Sequence, residues 1–304
     1  MSNTMEQQQE RLPFLAKRND VMGVSKCLEE DTPSLIEQRD AMLMGAKFGH
    51  LEVITCLISN GISVNIASDK GTTPLMQAAH RGHDDCCKLL LNCNANVDEQ
   101  NEKRKTSLML AVLCGHVHIV ETLLKYGRAN TEITEAAGRT ALYLASSIGN
   151  VDIVKTLLKY NSNRNAETNT KLTPLMAAAR GGYDEILNLF LEIDQDCINR
   201  KDGDDINNDN NDNYIKDIDL QDQYGRTALI IAASVGKTNT CKLLLKHGAN
   251  INSQSDNGTT ALMAAIDGKA EIECIEFLIG DENSIVSLCN IQGASALSFA
   301  AKRG

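Results

Sequence analysis

Three stretches carry residues that could bind a metal or move protons. "RGHDDCC" (81–87) sets His83 three residues before the pair Cys86–Cys87, and "CGHVH" (114–118) holds Cys114, His116 and His118 within five residues. Imidazole and thiolate are the ligands of tetrahedral zinc, which needs its nitrogens at about 2.0–2.1 Å. "DGDDINNDNNDN" (202–213) alternates aspartate with asparagine in the manner of an oxygen-donor calcium loop.

Neither chemistry survives the spacing. Counted from Asp202, the sixth position of the calcium loop is Asn207 where glycine is needed, and the twelfth is Asn213 where a bidentate glutamate is needed. His50, His83 and His116 recur at steps of 33, one per unit of a longer repeat. Helices packed side by side lie about 8–10 Å apart, too far for a column of imidazoles to close on one ion. Cys86, Cys87 and Cys241 sit in apolar helical stretches, where cysteine behaves as a small hydrophobe. No phosphate loop, nucleophile elbow or His-Glu-x-x-His occurs. The expectation is therefore no metal, no cofactor and no catalytic residue.

The elements that position these residues follow from the repeat. Thr73, Thr106, Thr140, Thr173, Thr227 and Thr260 each begin a Thr-x-Leu signal, followed by a Ser295 variant and preceded by a weaker copy at Asp40. Threonine can cap a helix, and Pro74 and Pro174 suit a first helical position that needs no amide hydrogen. Small pairs such as Ala78-Ala79 and Ala178-Ala179 let neighbouring helices approach, and glycine at 49, 82, 115, 149, 182 and 236 ends a helix of about two turns. A second helix follows, with apolar pairs from Leu57-Ile58 to Leu244-Leu245. Three residues past each pair stands Gly61, Asn94, Gly127, Asn161, Asp194 or Gly248, the residue types that best accept a left-handed closing turn. A turn-rich link suited to a hairpin completes each unit.

Helix–turn–helix plus hairpin at 33 residues resembles the ankyrin repeat. The resemblance implies an all-α ankyrin-repeat solenoid: a polar tail at 1–10, a degenerate capping repeat at 11–39, and repeats at 40–72, 73–105, 106–139, 140–172, 173–226, 227–259 and 260–294, then an incomplete one at 295–304. The family's usual first-helix histidine is replaced by Met76, Met109, Tyr143, Met176, Ile230 and Met263, which removes that residue's hydrogen bonds but not the fold. The step from Thr173 to Thr227 is 21 residues too long, and the excess is expected near 203–223 as an acidic, Asn/Asp-rich insertion. From 194 to 222 ten aspartates face three basic residues, so most of the net charge of −10 is local. Such a composition reads as a solvated polar loop. A second reading has Asp204, Asp205, Asp209 and Asp212 reach back to compete for the basic residues described next.

In the family, the variable residues before the first-helix glycine and at the hairpin tip line the concave face. By that resemblance the partner-binding candidates are His80, Arg81, Lys103, Arg104, Lys105, Leu113, Cys114, Arg139, Ile148, Lys171 and Arg180. They make a basic row with Leu113 and Ile148 as its apolar centre. The implied function is a non-catalytic protein-interaction module or scaffold, whose partner presents an acidic segment with apolar anchors. The alternative is a regulatory or targeting segment of a longer protein, such as an enzyme; "ALSFAAKRG" (296–304) opens an eighth unit that leaves Leu297 and Phe299 without a covering second helix. Nucleic acid is not indicated, because the chain is acidic and lacks a Lys/Arg stripe with stacking aromatics. No apolar run is long enough for a membrane span or signal peptide. Ten cysteines in 304 residues are too sparse for a disulfide scaffold. A monomer in the cytoplasm, with the nucleus open, is the resulting expectation.

Overall fold

The computed structural model describes residues 11–30, 32–191, 218–268 and 270–303. Most of the expected insertion, residues 203–217 with Asp204, Asp205, Asp209 and Asp212, lies outside the described residues, as does Asp194. Among the described residues the chain is all α, apart from one isolated antiparallel bridge between Cys289 and Ser295. The helices come in pairs: α1 (Arg11–Lys17) and α2 (Val21–Glu30), α3 (Leu35–Phe48) and α4 (Leu51–Ser59), α5 (Pro74–Arg81) and α6 (Asp84–Asn92), α7 (Ser107–Leu113) and α8 (Val117–Lys125). They continue as α9 (Ala141–Ile148) and α10 (Val151–Lys159), α11 (Pro174–Gly181) and α12 (Asp184–Leu191), α13 (Ala228–Ser234) and α14 (Thr238–Lys246), α15 (Ala261–Gly268) and α16 (Ile272–Gly280), then α17 (Ala296–Arg303). The chain forms two compact units, residues 1–136 and 137–304.

The threonine column does what its chemistry implies. Thr73, Thr106, Thr140, Thr173, Thr227 and Thr260 each accept, on Oγ1, the backbone N–H three residues on, all at 3.3 Å. Each such cap is worth about 1 kcal/mol. The donors belong to Met76, Met109, Tyr143, Met176, Ile230 and Met263, so the residues in the histidine column serve the cap through the backbone and fill the core with their side chains. Met76, Met109, Met176 and Met263 are buried, and Tyr143 is half-buried. Asp40, in register with these threonines, lies inside α3. That helix starts earlier, at a Ser34–Glu37 capping box.

Ala78, Ala79, Ala178, Ala179, Ala232 and Ala233 are fully buried where first helices meet. Leu57, Leu90, Leu123, Leu157, Phe190 and Leu244 are equally buried on the second helices. Each of these larger side chains contributes about 1.5–3 kcal/mol of burial.

The closing turns hold one difference from expectation. Gly61, Asn94, Asn161 and Gly248 are left-handed, with φ of 81°, 62°, 58° and 89°, but Gly127 is not: the left-handed residue there is Arg128, with φ 53°. The repeat at 106–139 is one residue longer than its neighbours, and the extra residue is taken up here. Ile62, Ala95, Ser162 and Ala249 each donate their N–H to the carbonyl five residues back, whereas Ala129 reaches six back, to Leu123.

A second column organises the hairpins. Ser68, Asn101, Thr168, Asp222, Ser255 and Asn290 each accept on the side chain the N–H four residues on. The backbone N–H of each also donates to the carbonyl of that same residue, closing the turn. Successive turns are joined by single backbone bonds, such as Glu102 N–H to Lys70 O within the first unit and Asp256 N–H to Tyr224 O within the second. Asp219 and Asp222 make the ordinary contacts of these columns, accepting from Asn250 and from Tyr224 and Arg226. Residues 219–223 therefore belong to a regular hairpin.

Candidate functional site

The histidines answer the question of metal by what they touch. His50 Nε2 lies 3.1 Å from the carbonyl oxygen of Lys17, His83 Nε2 3.0 Å from that of Lys47, and His116 Nε2 3.3 Å from that of His80. Each of those carbonyls belongs to the last turn of the preceding first helix, where intrahelical partners run out. The ring crosses the glycine that ends that helix: a Cβ on Gly49 would stand 2.7 Å from His83 Nδ1, and one on Gly82 3.1 Å from His116. In the second unit Tyr183 fills the same place, over Gly149. Asn150 turns instead to its own helix and caps it through Ile153 N–H. Among the described residues no three His, Cys, Asp or Glu side chains group closely enough to hold a metal ion.

The cysteines among the described residues are free thiols, with Cys86, Cys87, Cys241 and Cys274 buried and Cys114 and Cys289 exposed. Burial pushes the Cys86 thiol up to about 11, helped by Asp85 and Glu52, and raises Cys87 further. A thiol held protonated is a poor nucleophile and a poor ligand.

In the first unit the structure brings His80, Arg81, Lys105 and His116 together at the end of α5. Partial burial lowers the pKa of His80, and the charges of Arg81, His116 and Lys105 lower it further. Lys103, Arg104 and Lys105 follow one another along the adjoining hairpin turn, whose backbone Asn101 Oδ1 holds by accepting from Lys103 and Lys105. Arg81, Lys103, Arg104 and Lys105 form no ion pair in the structure. On the second helices, by contrast, Lys88 pairs with Asp84 at 2.7 Å. Leu113 is half-buried and Cys114 exposed at the end of α7.

The remaining candidates lie in the second unit. Arg139 and Arg180 both act on Tyr143, whose phenol is raised by burial and partly lowered again by those two charges. Ile148 is 40% exposed, Lys171 and Arg180 are exposed, and neither of those two forms an ion pair. Leu113 and Ile148 thus belong to separate units. The sequence alone did not single out Tyr143 or His116 for this surface. The available signal for Tyr143 was a polar tip in a column otherwise filled by methionine and isoleucine.

Arg104 and Lys171 share a further property. Each takes the left-handed conformation, with φ 57°, at the turn position that Gly71, Gly138, Gly225, Gly258 and Gly293 occupy elsewhere. A side chain there costs roughly 1–2 kcal/mol relative to ordinary backbone. Both exceptions are basic and both are exposed.

Helix pairs stacked through alanine seams, threonine caps and side-chain-closed hairpins define a repeat protein of the ankyrin type. The family model for ankyrin repeats (three copies) matches residues 42–134, 127–202 and 210–287, and the chain belongs to this family. Ankyrin repeats are protein-interaction modules, generally without catalysis.

The chain is 32% identical over 296 residues to the ankyrin repeat and KH domain-containing protein mask-1 of Caenorhabditis elegans, covering 88% of this chain and 11% of that protein. It is 30% identical over 122 residues to the probable E3 ubiquitin-protein ligase XBOS32 of Oryza sativa subsp. japonica, covering 38% of this chain and 24% of that protein. With human ankyrin repeat and SOCS box protein 3 the identity is 33% over 89 residues, covering 28% and 17%. The chain spans less than a quarter of the length of these relatives. No helix among the described residues is long and apolar enough to cross a membrane.

Proposed function

We propose that this chain is a non-catalytic interaction module, acting as a monomer, whose first-helix ends and hairpin tips bind an acidic, apolar-anchored segment of a partner protein. The observation that carries the reading is the set of basic side chains on the first unit, Arg81, Lys103, Arg104 and Lys105, none of which forms an ion pair in the structure. Exposed charge of this kind contributes little to folding and much to encounter with a partner of opposite sign. The half-buried Leu113 supplies the apolar contact that slows dissociation. In the second unit Arg139, Ile148, Lys171 and Arg180 extend the same chemistry. The cytoplasm or nucleus is the compartment this reading assigns.

Affinity capture from cell extract with the full chain, followed by mass spectrometry, identifies the partner. Arg81→Glu with Lys105→Glu should then weaken binding far more at low salt than at high salt. Leu113→Asp should weaken it at both. Unchanged affinity in all three variants would remove this face as the site.

A second reading is favoured by the small share of its relatives that the chain spans: these repeats are the recognition segment of a longer protein, an enzyme in the case of a ligase-type architecture. Transcript sequencing that finds an in-frame continuation separates the two readings.

A further inference from the structure

The last repeats of the second unit carry a groove of different chemistry. A cavity of about 590 Å³ opens between three hairpin turns and the first helices α13, α15 and α17. Tyr224, Ile291 and Phe299 give it an apolar wall. Tyr224 is 56% and Ile291 75% exposed, on the turns that flank the Asp256–Asn257 turn on either side. At position 268 the backbones of α13 and α15 approach closely. Where α5 and α9 carry Arg81 and Ile148, α15 has Gly268, and a Cβ there would run into the carbonyl oxygen of Ser234.

The charge that Asp256 offers to this groove is opposite in sign to that of the first unit. Its one cationic lining residue, Arg226, is already satisfied: Nε and Nη2 donate to Asp222 Oδ2 at 2.8 and 2.6 Å, and the guanidinium lies 5.0 Å from the Tyr224 ring centroid. The Asp222 side chain is 1% exposed, so this ion pair is an internal strut whose charges cancel. The other ionised lining groups are the exposed Asp256 and Asp267. Asp256 is fixed by its backbone, which donates to Tyr224 O at 3.0 Å, and its carboxylate forms no ion pair in the structure.

We infer that this groove binds a basic partner segment in which a lysine or arginine stands beside an apolar side chain. The cation meets the Asp256 carboxylate, and the apolar neighbour packs on one of the flanking side chains, Tyr224 or Ile291. Carboxylate–guanidinium contacts are strong when partly shielded from water, and the same carboxylate rejects an acidic segment. This site is separate from the basic face of the first unit and opposite to it in sign, so either can fail without the other.

The test is an array of octapeptides that places basic, acidic, apolar or neutral polar residues at every position, probed with the full chain. The expected result is enrichment of peptides with Lys or Arg next to an aromatic or branched apolar residue. The best of these is then measured by fluorescence anisotropy. Asp256→Lys should weaken it about tenfold or more at low salt, and Ile291→Ser should weaken it at all salt concentrations. Both residues are exposed, so folding is retained, which circular dichroism verifies. Arg81→Glu with Lys105→Glu should leave this binding unchanged. An array without basic-apolar enrichment, or an affinity indifferent to Asp256→Lys and Ile291→Ser, would overturn the inference.

Discussion

His83 is tied to Lys47 across the repeat boundary: its Nε2 lies 3.0 Å from the Lys47 carbonyl oxygen, and its ring covers Gly49. The ring thus supplies a donor that α3 lacks at its end. His83→Ala should destabilise the chain by about 1 kcal/mol through loss of that bond. Gly49→Ala should cost more, about 1–2 kcal/mol, because φ is 77° and the new Cβ meets the ring. Urea denaturation measures both. Added zinc should leave the melting temperature unchanged; a stoichiometric stabilisation by zinc would contradict the structural role of this column.

Arg104→Gly and Lys171→Gly should each stabilise the fold, by about 0.5–1 kcal/mol. Relief of the left-handed strain outweighs the larger entropy of glycine in the unfolded chain. Arg104→Gly should at the same time weaken the captured partner. A stabilised variant with undiminished affinity would show that the arginine is not kept for binding.

Ser107 and Ser162 are buried with hydroxyls that have no hydrogen-bond partner. Alanine occupies the matching positions at Ala141 and Ala228 for the first, and at Ala95 and Ala249 for the second. Ser107→Ala and Ser162→Ala should therefore be stabilising, by about 1 kcal/mol each, read from the shift in denaturation midpoint. A loss of stability in both would mean that these hydroxyls do find partners.

The thiols should make the fold sensitive to alkali. With the folded pKa of Cys86 raised to about 11, the unfolded chain gives up this proton first as pH rises. The contribution is fully present below the unfolded value near 9 and is lost as pH climbs through about 11. Cys86→Ala should flatten the decline of stability over that window. In the native protein a thiol reagent near neutral pH should modify Cys114 and Cys289 well before Cys86 or Cys87.

Chelator and reductant together should leave the helical circular-dichroism signal and its melting unchanged. Loss of helicity on either treatment would point to a metal or disulfide that the repeat does not need.

What the sequence determined by itself was everything that closes within a few residues. The threonine caps and the glycine ends follow from interactions at i+3 to i+5, which local chemistry specifies without a neighbour, and the alanine pairs and the register of 33 were legible as a repeating pattern. The hairpin column of Ser68, Asn101, Thr168, Asp222, Ser255 and Asn290 was equally local, but its four residue types share only an acceptor atom and not a letter. Contacts between residues about 33 apart were decided by the tertiary structure. The reach of His83 to Lys47, the cluster of cations around His80 and the pocket beneath Tyr224 exist only once helices stack, because stacking sets which carbonyl, charge or ring each side chain meets. The left-handed turn at Arg128 belongs to the same class: the sequence offered Gly127, and the extra residue of that repeat moved the turn by one.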